Sequence, residues 1–418
     1  MKYGLIGERL DYSYSKFIHE KMHFTEYTLK EISKEDLAEY IKAKNYKGLN
    51  VTIPYKETVI DYLDVLSENV KKTNVVNTIV NHFGELRGYN TDYDGFMYLI
   101  KSHNVDIHNK TCIILGTGAT SRTITLVLND LGAKLIKYVS RTKVGKNIIN
   151  YDRIDMQEAD ILINTTPVGV YPSFADCPIN IDKITGLKTV IDVIYNPLRS
   201  RLLVNAELKG LKAINGLSML VYQAKCSSEL FFDKIIDDCK VQHIIKSIQK
   251  NNCNIVLIGM PGAGKSRTAH ELMHAISFRL CDSDNIIIKE EKISIKNIFK
   301  QYGEQYFRDK ESKVISNLAL NKGMIIATGG GVVLRENNMK LLKSNGIILF
   351  LDKDVEKIAY DTQLNDKRPL TMNKEQLYEC YKTRYPLYKK YSDIIINISS
   401  NQETKDIVEI IKKALNEI

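Results

Sequence analysis

The chain has 418 residues, 44% hydrophobic and 26% charged, with a formal charge of +9. Such a composition suits a soluble globular protein of two or three domains, each long enough to bury its own core. The lysines are scattered, Trp is absent and Arg does not interleave with aromatics, which argues against a nucleic-acid partner and for anionic small molecules.

Met1-Lys2 runs directly into a strand-like stretch, Tyr3 to Ile6, leaving no room for a signal peptide. No apolar run approaches the roughly 18 residues of a membrane span, so no membrane partner and a cytoplasmic location are expected. Short apolar runs then recur at Thr111–Leu115, Ile161–Ile163, Thr189–Val193, Ile255–Ile258, Met324–Ala327 and Ile347–Leu351, with helix-like stretches between them. This alternation predicts buried parallel strands in βαβ units, an α/β chain. The stretch from about 403 to 418 reads as an amphipathic helix with Ile407, Ile410, Ile411 and Leu415 on one face. Boundaries are expected near 100 and within 239–252, which is polar at Gln249-Lys250-Asn251-Asn252. The seven cysteines are widely spaced without a C-x-x-C, so the pattern suggests neither a disulfide framework nor a zinc site.

In the first half, Lys56 and Asp92 stand in Asn- and Thr-rich contexts, but spacing alone gives no reason to single them out. The turn Gly116-Thr117-Gly118-Ala119-Thr120-Ser121 follows a strand and opens a helix, as a dinucleotide-binding turn does, with Ser in place of the usual third Gly. A tight structural turn is the competing reading. The next strand, Leu135–Val139, ends in Ser140-Arg141-Thr142-Lys143. Cations there, where an acid would hold the ribose of NAD, suit a 2′-phosphate and favour NADP; a solvated charged turn is the alternative.

In the second half, Gly259-Met260-Pro261-Gly262-Ala263-Gly264-Lys265-Ser266 fits G-x-x-x-x-G-K-[ST] in full and sits between a strand and a helix. Its glycines let successive amides face a phosphate, Lys265 adds a positive charge, and the Ser266 hydroxyl can hold magnesium. Asp282 and Asp284, two residues apart, are placed for magnesium and a substrate hydroxyl, or for a solvated turn. Arg308, Arg368, Arg384 and the run Gly329-Gly330-Gly331 suggest capture of a carboxylate and of a transferring phosphate.

The motifs GERLDYSYSKFIH, LNVTIPYKE, VVNTI, GYNTDYDG, GTGATSR, SRT, INTTPVG, DVIYNP and NGLSMLVYQA, in this order over residues 3 to about 230, resemble shikimate dehydrogenase. The resemblance implies a substrate domain, 1–100 plus helices at about 215–238, and a Rossmann NADP domain, 101–214. Lys56 and Asp92 would be its catalytic pair. Ser13, Ser15, Asn50, Thr52, Asn77, Tyr195 and Gln223 would hold the substrate. Gly116, Gly118, Ala119, Thr120, Ser140, Arg141, Thr142, Thr166, Gly216 and Met219 would line the cofactor. Tyr12 and Lys16 replace the family's His and Pro around Ser13 and Ser15, either neutrally or with a shift toward quinate.

Residues 253–418, after a linker at 239–252, resemble shikimate kinase, implying a P-loop parallel-sheet domain. By that resemblance Gly262, Ala263, Gly264, Lys265, Ser266, Arg267 and Arg368 bind ATP, and Ser266 and Asp282 hold Mg2+. Asp284 faces the attacking hydroxyl. Arg308, Gly330, Gly331 and Arg384 hold shikimate, with Phe299 and Phe307 walling the pocket. Lys265, Asp284 and Arg368 carry catalysis. Asp361 replaces an arginine that stacks on adenine in the family, so weaker ATP binding is expected. The combined expectation is a bifunctional enzyme that reduces 3-dehydroshikimate with NADPH and phosphorylates the shikimate with ATP. The alternatives are a degenerate kinase half acting as a regulatory module, or a dehydrogenase preferring quinate.

Overall fold

The computed structural model describes residues 2–11, 13–23, 26–363, 374–399 and 402–416. The chain forms two compact units, Met1–Asn196 with Lys209–Ile248, and Pro197–Leu208 with Gln249–Ile418. Among the described residues no helix is long and apolar enough to cross a membrane.

The first unit holds two six-stranded sheets. In one, Tyr3–Gly7 pairs in parallel with Thr28–Glu31 and Gly48–Val51. The sheet then turns antiparallel through Thr78–His82 and Glu85–Tyr89. The apolar runs begin at Thr111, beyond this sheet, and carry no expectation of its antiparallel pairing. Its cause is local: Phe83 and Gly84 have φ of 50° and 93°, the backbone of a two-residue hairpin turn. The other sheet is wholly parallel, in the order Lys212–Asn215, Thr189–Asp192, Ile161–Asn164, Thr111–Leu115, Leu135–Val139, Ile148–Ile149. Helix Ala119–Asp130 follows its central strand and buries Ile124, Val127 and Leu128, the i, i+3, i+4 stripe of an amphipathic helix. Helix Leu217–Phe232 packs along helix Asp92–Ser102.

The second unit is built on a parallel sheet ordered Arg279–Asp282, Met324–Ala327, Asn254–Ile258, Gly346–Lys353, Ile394–Ile398. Both faces are covered, one by a cluster around Val256, Ile258, Phe307 and Phe350, the other by one around Leu257, Ala263, Leu349 and Ile411. Double coverage explains why these strands read as unbroken apolar runs. Helix Thr404–Asn416 buries Ile407, Val408 and Ile411 in the second cluster.

Two segments bear on the boundaries expected from sequence. The stretch 239–252 is not an extended linker but most of a helix, Asp238–Asn252, with Val241, Ile244 and Ile248 buried on one face. Its polar end is the exposed side of that helix. The segment Pro197–Leu208 lies, in sequence, inside the expected Rossmann domain but belongs to the second unit. Arg199 anchors it: Nη1 and Nη2 donate to both oxygens of Asp393 at 2.9 and 3.1 Å, and Nε donates to the Lys343 carbonyl at 2.8 Å. Asp393 also accepts from Lys343 Nζ at 2.5 Å and from the Ile348 amide at 2.8 Å. Burial opposes the Arg199 charge, yet Asp393 and Glu207 hold it more firmly than usual. Burial and the Arg199 charge together lower the Lys343 pKa even though it touches the same carboxylate. The guanidinium, bound through two nitrogens, is the stronger partner.

Candidate active sites

The first site gathers where the strands Gly48–Val51 and Thr78–His82 meet the start of helix Asp92–Ser102. Lys56 Nζ donates to Asp92 Oδ2 at 2.5 Å, and both side chains are nearly buried. The other Asp92 oxygen accepts from Asn77 Nδ2 at 3.0 Å. Asn77 Nδ2 also reaches Gln223 Oε1 at 3.3 Å and Thr91 Oγ1 at 2.9 Å. Asn50 accepts from the Tyr27 hydroxyl at 2.7 Å and donates to Ser227 and Thr78 at 2.8 and 3.1 Å. Thr52 follows directly on the strand Gly48–Val51, its amide donating to the Ile6 carbonyl at 3.0 Å. The amide of Ser15 donates to Ser13 Oγ at 3.2 Å, and between them Tyr14 packs its ring 5.4 Å from that of Tyr195. A cation held against a carboxylate, with amides and hydroxyls around it, can pass a proton to an oxygen that develops charge.

In the parallel sheet of this unit, Gly116 has φ of 99° and Gly118 caps the helix that begins at Ala119, with Thr120 in its first turn. A Cβ on Gly118 would meet nothing within 4 Å, so the turn is open for a close phosphate approach. Ser140 Oγ accepts from the amides of Thr142 and Lys143 at 3.3 and 3.0 Å, and Lys143 Nζ reaches back to the Thr117 carbonyl at 3.2 Å. Arg141 stands exposed beside them. Thr166 donates to Asn164 at 2.7 Å. Gly216 lies so close to Val193 that an added Cβ would be 2.0 Å from its carbonyl oxygen, and Met219 is buried one turn further on. This donor set fits a dinucleotide whose ribose carries an extra phosphate.

In the second unit, the loop after Asn254–Ile258 curls through Gly262 and Gly264 at φ of 91° and 93°, with Ala263 buried. Lys265 Nζ donates to the Gly259 and Met260 carbonyls at 2.8 and 3.0 Å. Ser266 Oγ donates to Asp282 Oδ2 at 2.7 Å, and the other Asp282 oxygen caps helix Ser283–Glu291. A hydroxyl and a carboxylate at one point are oxygen donors suited to a hard divalent cation. Arg267 is exposed in the first turn of the following helix.

Across the sheet's carboxyl end, Arg308 Nη1 donates to Glu311 at 2.9 Å and Nη2 to Glu304 at 3.1 Å. Arg308 follows a break at Gly303 in the stretch Ile295–Ala319, which brings Phe307 4.9 Å from Phe299. Asp284 Oδ1 and Glu311 Oε1 are buried without a hydrogen-bond partner. They converge on one spot, since a Cβ on Gly329 would be 2.7 Å from the first and 2.9 Å from the second. Burial, and then the Asp282 charge, pushes the Asp284 carboxyl up. Burial also raises Glu311 against the pull of Arg308, and Arg384 acts on it as well. Gly331 lies under the Arg308 guanidinium, and the Gly330 carbonyl accepts from Tyr388. Arg368 lies outside the described residues, as does Tyr12.

Asp361 does not stand as a bare acid: Lys353 Nζ holds it at 2.6 Å, which balances its charge. Other participants escaped the sequence reading. Thr78, Thr91 and Ser227 are short buried hydroxyls that only the fold brings to Asn50 and Asn77. Glu311 looks like an ordinary helical acid, although its i, i+3 spacing from Arg308 was a usable signal.

These are the features of a two-domain α/β dinucleotide reductase joined to a P-loop kinase unit. The sequence model described as shikimate dehydrogenase substrate binding domain matches residues 5–79, and that of shikimate kinase matches 261–415. A shikimate dehydrogenase (NADP(+)) of Clostridium beijerinckii is 38% identical over 266 residues, spanning 60% of this chain and 98% of the relative. Shikimate dehydrogenase 1 of Peptoclostridium difficile superposes with a TM-score of 0.56 at 36% identity, covering 60% of this chain and 98% of that one. A chorismate mutase/shikimate 5-dehydrogenase fusion of Clostridium acetobutylicum gives 0.57 at 36% identity, covering 59% and 96%. The chain belongs to the shikimate dehydrogenase family and carries a shikimate kinase domain behind it.

Proposed function

We propose that this chain catalyses two consecutive reactions, NADPH-dependent reduction of 3-dehydroshikimate to shikimate and ATP-dependent phosphorylation of shikimate to shikimate 3-phosphate. NADPH supplies the hydride for the first step. Lys56 gives a proton to the substrate oxygen as the carbonyl carbon takes that hydride, and Asp92 orients the ammonium. Asn50, Thr52, Asn77 and Gln223 hold hydroxyls, while Ser13, Ser15 and Tyr195 close the carboxylate end. Arg141 and Lys143 favour the 2′-phosphate of NADP.

In the second step Asp284 accepts the proton of the shikimate hydroxyl as its oxygen bonds to the γ-phosphorus and the bond to ADP breaks. Arg308 and Arg384 hold the carboxylate of shikimate, Lys265 draws on the phosphates, and Ser266 and Asp282 would hold Mg2+.

The observation that carries the reading is that one chain holds both residue sets, Lys56 with Asp92 and Asp284 with Lys265, Arg308 and Glu311, and the product of the first set is the substrate of the second. The test is a one-pot reaction with 3-dehydroshikimate, NADPH, ATP and magnesium, following NADPH absorbance and ADP release. Both signals are expected, NADPH loss disappearing in Lys56→Met and ADP release in Lys265→Ala. NADPH loss without ADP would overturn the kinase half of the reading. The pairing of Asp361 with Lys353 balances the acid's charge, and ADP release by the native protein decides between an active and a degenerate kinase half.

A further inference from the structure

The strand Gly346–Lys353 lies beside the phosphate-loop strand, with Phe350 opposite Ile258, the last residue before the loop. The two chains stay in contact beyond the pairing, because a Cβ on Gly259 would lie 2.8 Å from the Leu351 carbonyl oxygen. The Leu351 side chain packs in the same cluster as Ala263 of the loop. Alternation along a strand sends residue 353 to the side of 351, and residue 352 to the opposite side. Asp352 does reach the other way, accepting from the Tyr385 hydroxyl at 3.0 Å. Lys353 therefore ends its strand on the phosphate-loop side, at the carboxyl edge where parallel sheets bind ligands. Two residues of strand span about 7 Å, so the backbone of Lys353 ends about that far from Leu351, the residue beside the loop.

Its partner is placed against local electrostatics. Asp361 sits in the last turn of helix Val355–Gln363, where the helix dipole disfavours an acid and no basic residue offsets it. The Lys353 side chain is 14% exposed, so the pair also costs desolvation. The Asp361 side chain is 43% exposed, so the pair stands at the rim with its cation the more buried member.

We infer that Lys353 and Asp361 form a charge-compensated pair that sets the affinity of the kinase unit for the nucleotide phosphates, Lys353 attracting them and Asp361 holding that attraction in check. The inference rests on the reading of this unit as an ATP-using kinase. Nucleotide affinity follows the net charge of the pair: −1 in Lys353→Met, 0 in the native chain and in the double variant, +1 in Asp361→Asn.

The experiment titrates the full-length protein, in magnesium, with a fluorescent N-methylanthraniloyl ADP, and records thermal unfolding of each variant. Lys353→Met is expected to raise Kd five- to tenfold, Asp361→Asn to lower it at least twofold, and the double variant to return within twofold of native. The Lys353→Met defect shrinks at high salt. A Kd unchanged in Lys353→Met, or a double variant no better than Lys353→Met, overturns the inference, as does lowered thermal stability with unchanged affinity. Shikimate-dependent ADP release is read separately. Its absence in the native protein counts against the kinase reading, while the charge order in Kd judges the pair itself.

Discussion

Removing the Glu311 carboxylate should cripple phosphorylation while leaving reduction intact in the same molecule. Glu311 is fully buried and holds Arg308 at 2.9 Å, and Arg308 itself is only 8% exposed. Breaking a buried ion pair by deleting one partner costs about 3–5 kcal/mol, because the other charge is left uncompensated. Glu304 still reaches Arg308 in Glu311→Ala, but its side chain is 58% exposed, so the low end of that range, about 3 kcal/mol, applies. Expressed as misplacement of Arg308 in the transition state, that is about a 10²-fold loss in kcat/KM for shikimate, at about 1.4 kcal/mol per decade. Glu311→Gln keeps a hydrogen bond to the guanidinium and should lose about tenfold. The assay is coupled ADP release against shikimate concentration, with NADPH oxidation measured on the same preparation. Kinase activity within threefold of native in Glu311→Ala would refute the reasoning. So would a parallel fall in both activities, which would mark general unfolding.

A methyl group on Gly331 would lie 2.2 Å from the Arg308 guanidinium nitrogens, which Glu311 and Glu304 hold in place, so Gly331→Ala should raise the shikimate KM of the kinase at least tenfold. An unchanged KM would mean that the guanidinium yields freely. Arg199→Leu strips the bidentate partner from Asp393 and should lower the stability of the second unit by about 3 kcal/mol, read as a lower urea midpoint for loss of kinase activity. An unmoved midpoint would show the network to be energetically idle. Because burial raises Asp284, its ionised form, which accepts the hydroxyl proton, is lost at a pH above the ordinary aspartate value near 3.9. Kinase kcat/KM should therefore fall on the acid side at a pH above the ordinary aspartate value of about 3.9, and a limb at or below that value would count against the role. The contribution of Asp284 to stability has the opposite sign: a raised folded pKa means the native state binds the proton more readily, so the destabilisation present at neutral pH is relieved as pH falls through the folded pKa toward the unfolded value.

Legibility from sequence tracked local causes. The strands around Thr111–Leu115 and Asn254–Ile258 were plain because both faces of their sheets are covered, leaving unbroken apolar runs. The phosphate loop was plain because glycines and a lysine at fixed spacing have a single physical use. Lys56 and Asp92 carried no signal of their own and emerged only through resemblance. Their pairing depends on a loop and a helix start that are 36 residues apart in the chain. Thr78 and Ser227, 149 residues apart, touch only after folding. Glu311, Lys353 and Arg199 carry no sequence signal of their own, since nothing in their neighbours discloses that they would be buried or paired. The helix Asp238–Asn252 was taken for a linker because its exposed polar end outweighed three well-spaced apolar residues.

The Arg199 anchor has a consequence for inheritance. Two enzymes merely strung together could part again wherever the strand of DNA breaks between them. Here the second unit takes the piece Pro197–Leu208 from within the stretch that codes for its neighbour. A break at the apparent seam near residue 248 would hand one descendant gene a carboxylate at Asp393 that has lost its arginine. The other would keep that arginine with Glu207, 3.1 Å from Nη1, but without the two oxygens of Asp393. A second unit separated there would hold Asp393 through Lys343 and the Ile348 amide alone, without the paired nitrogens of Arg199.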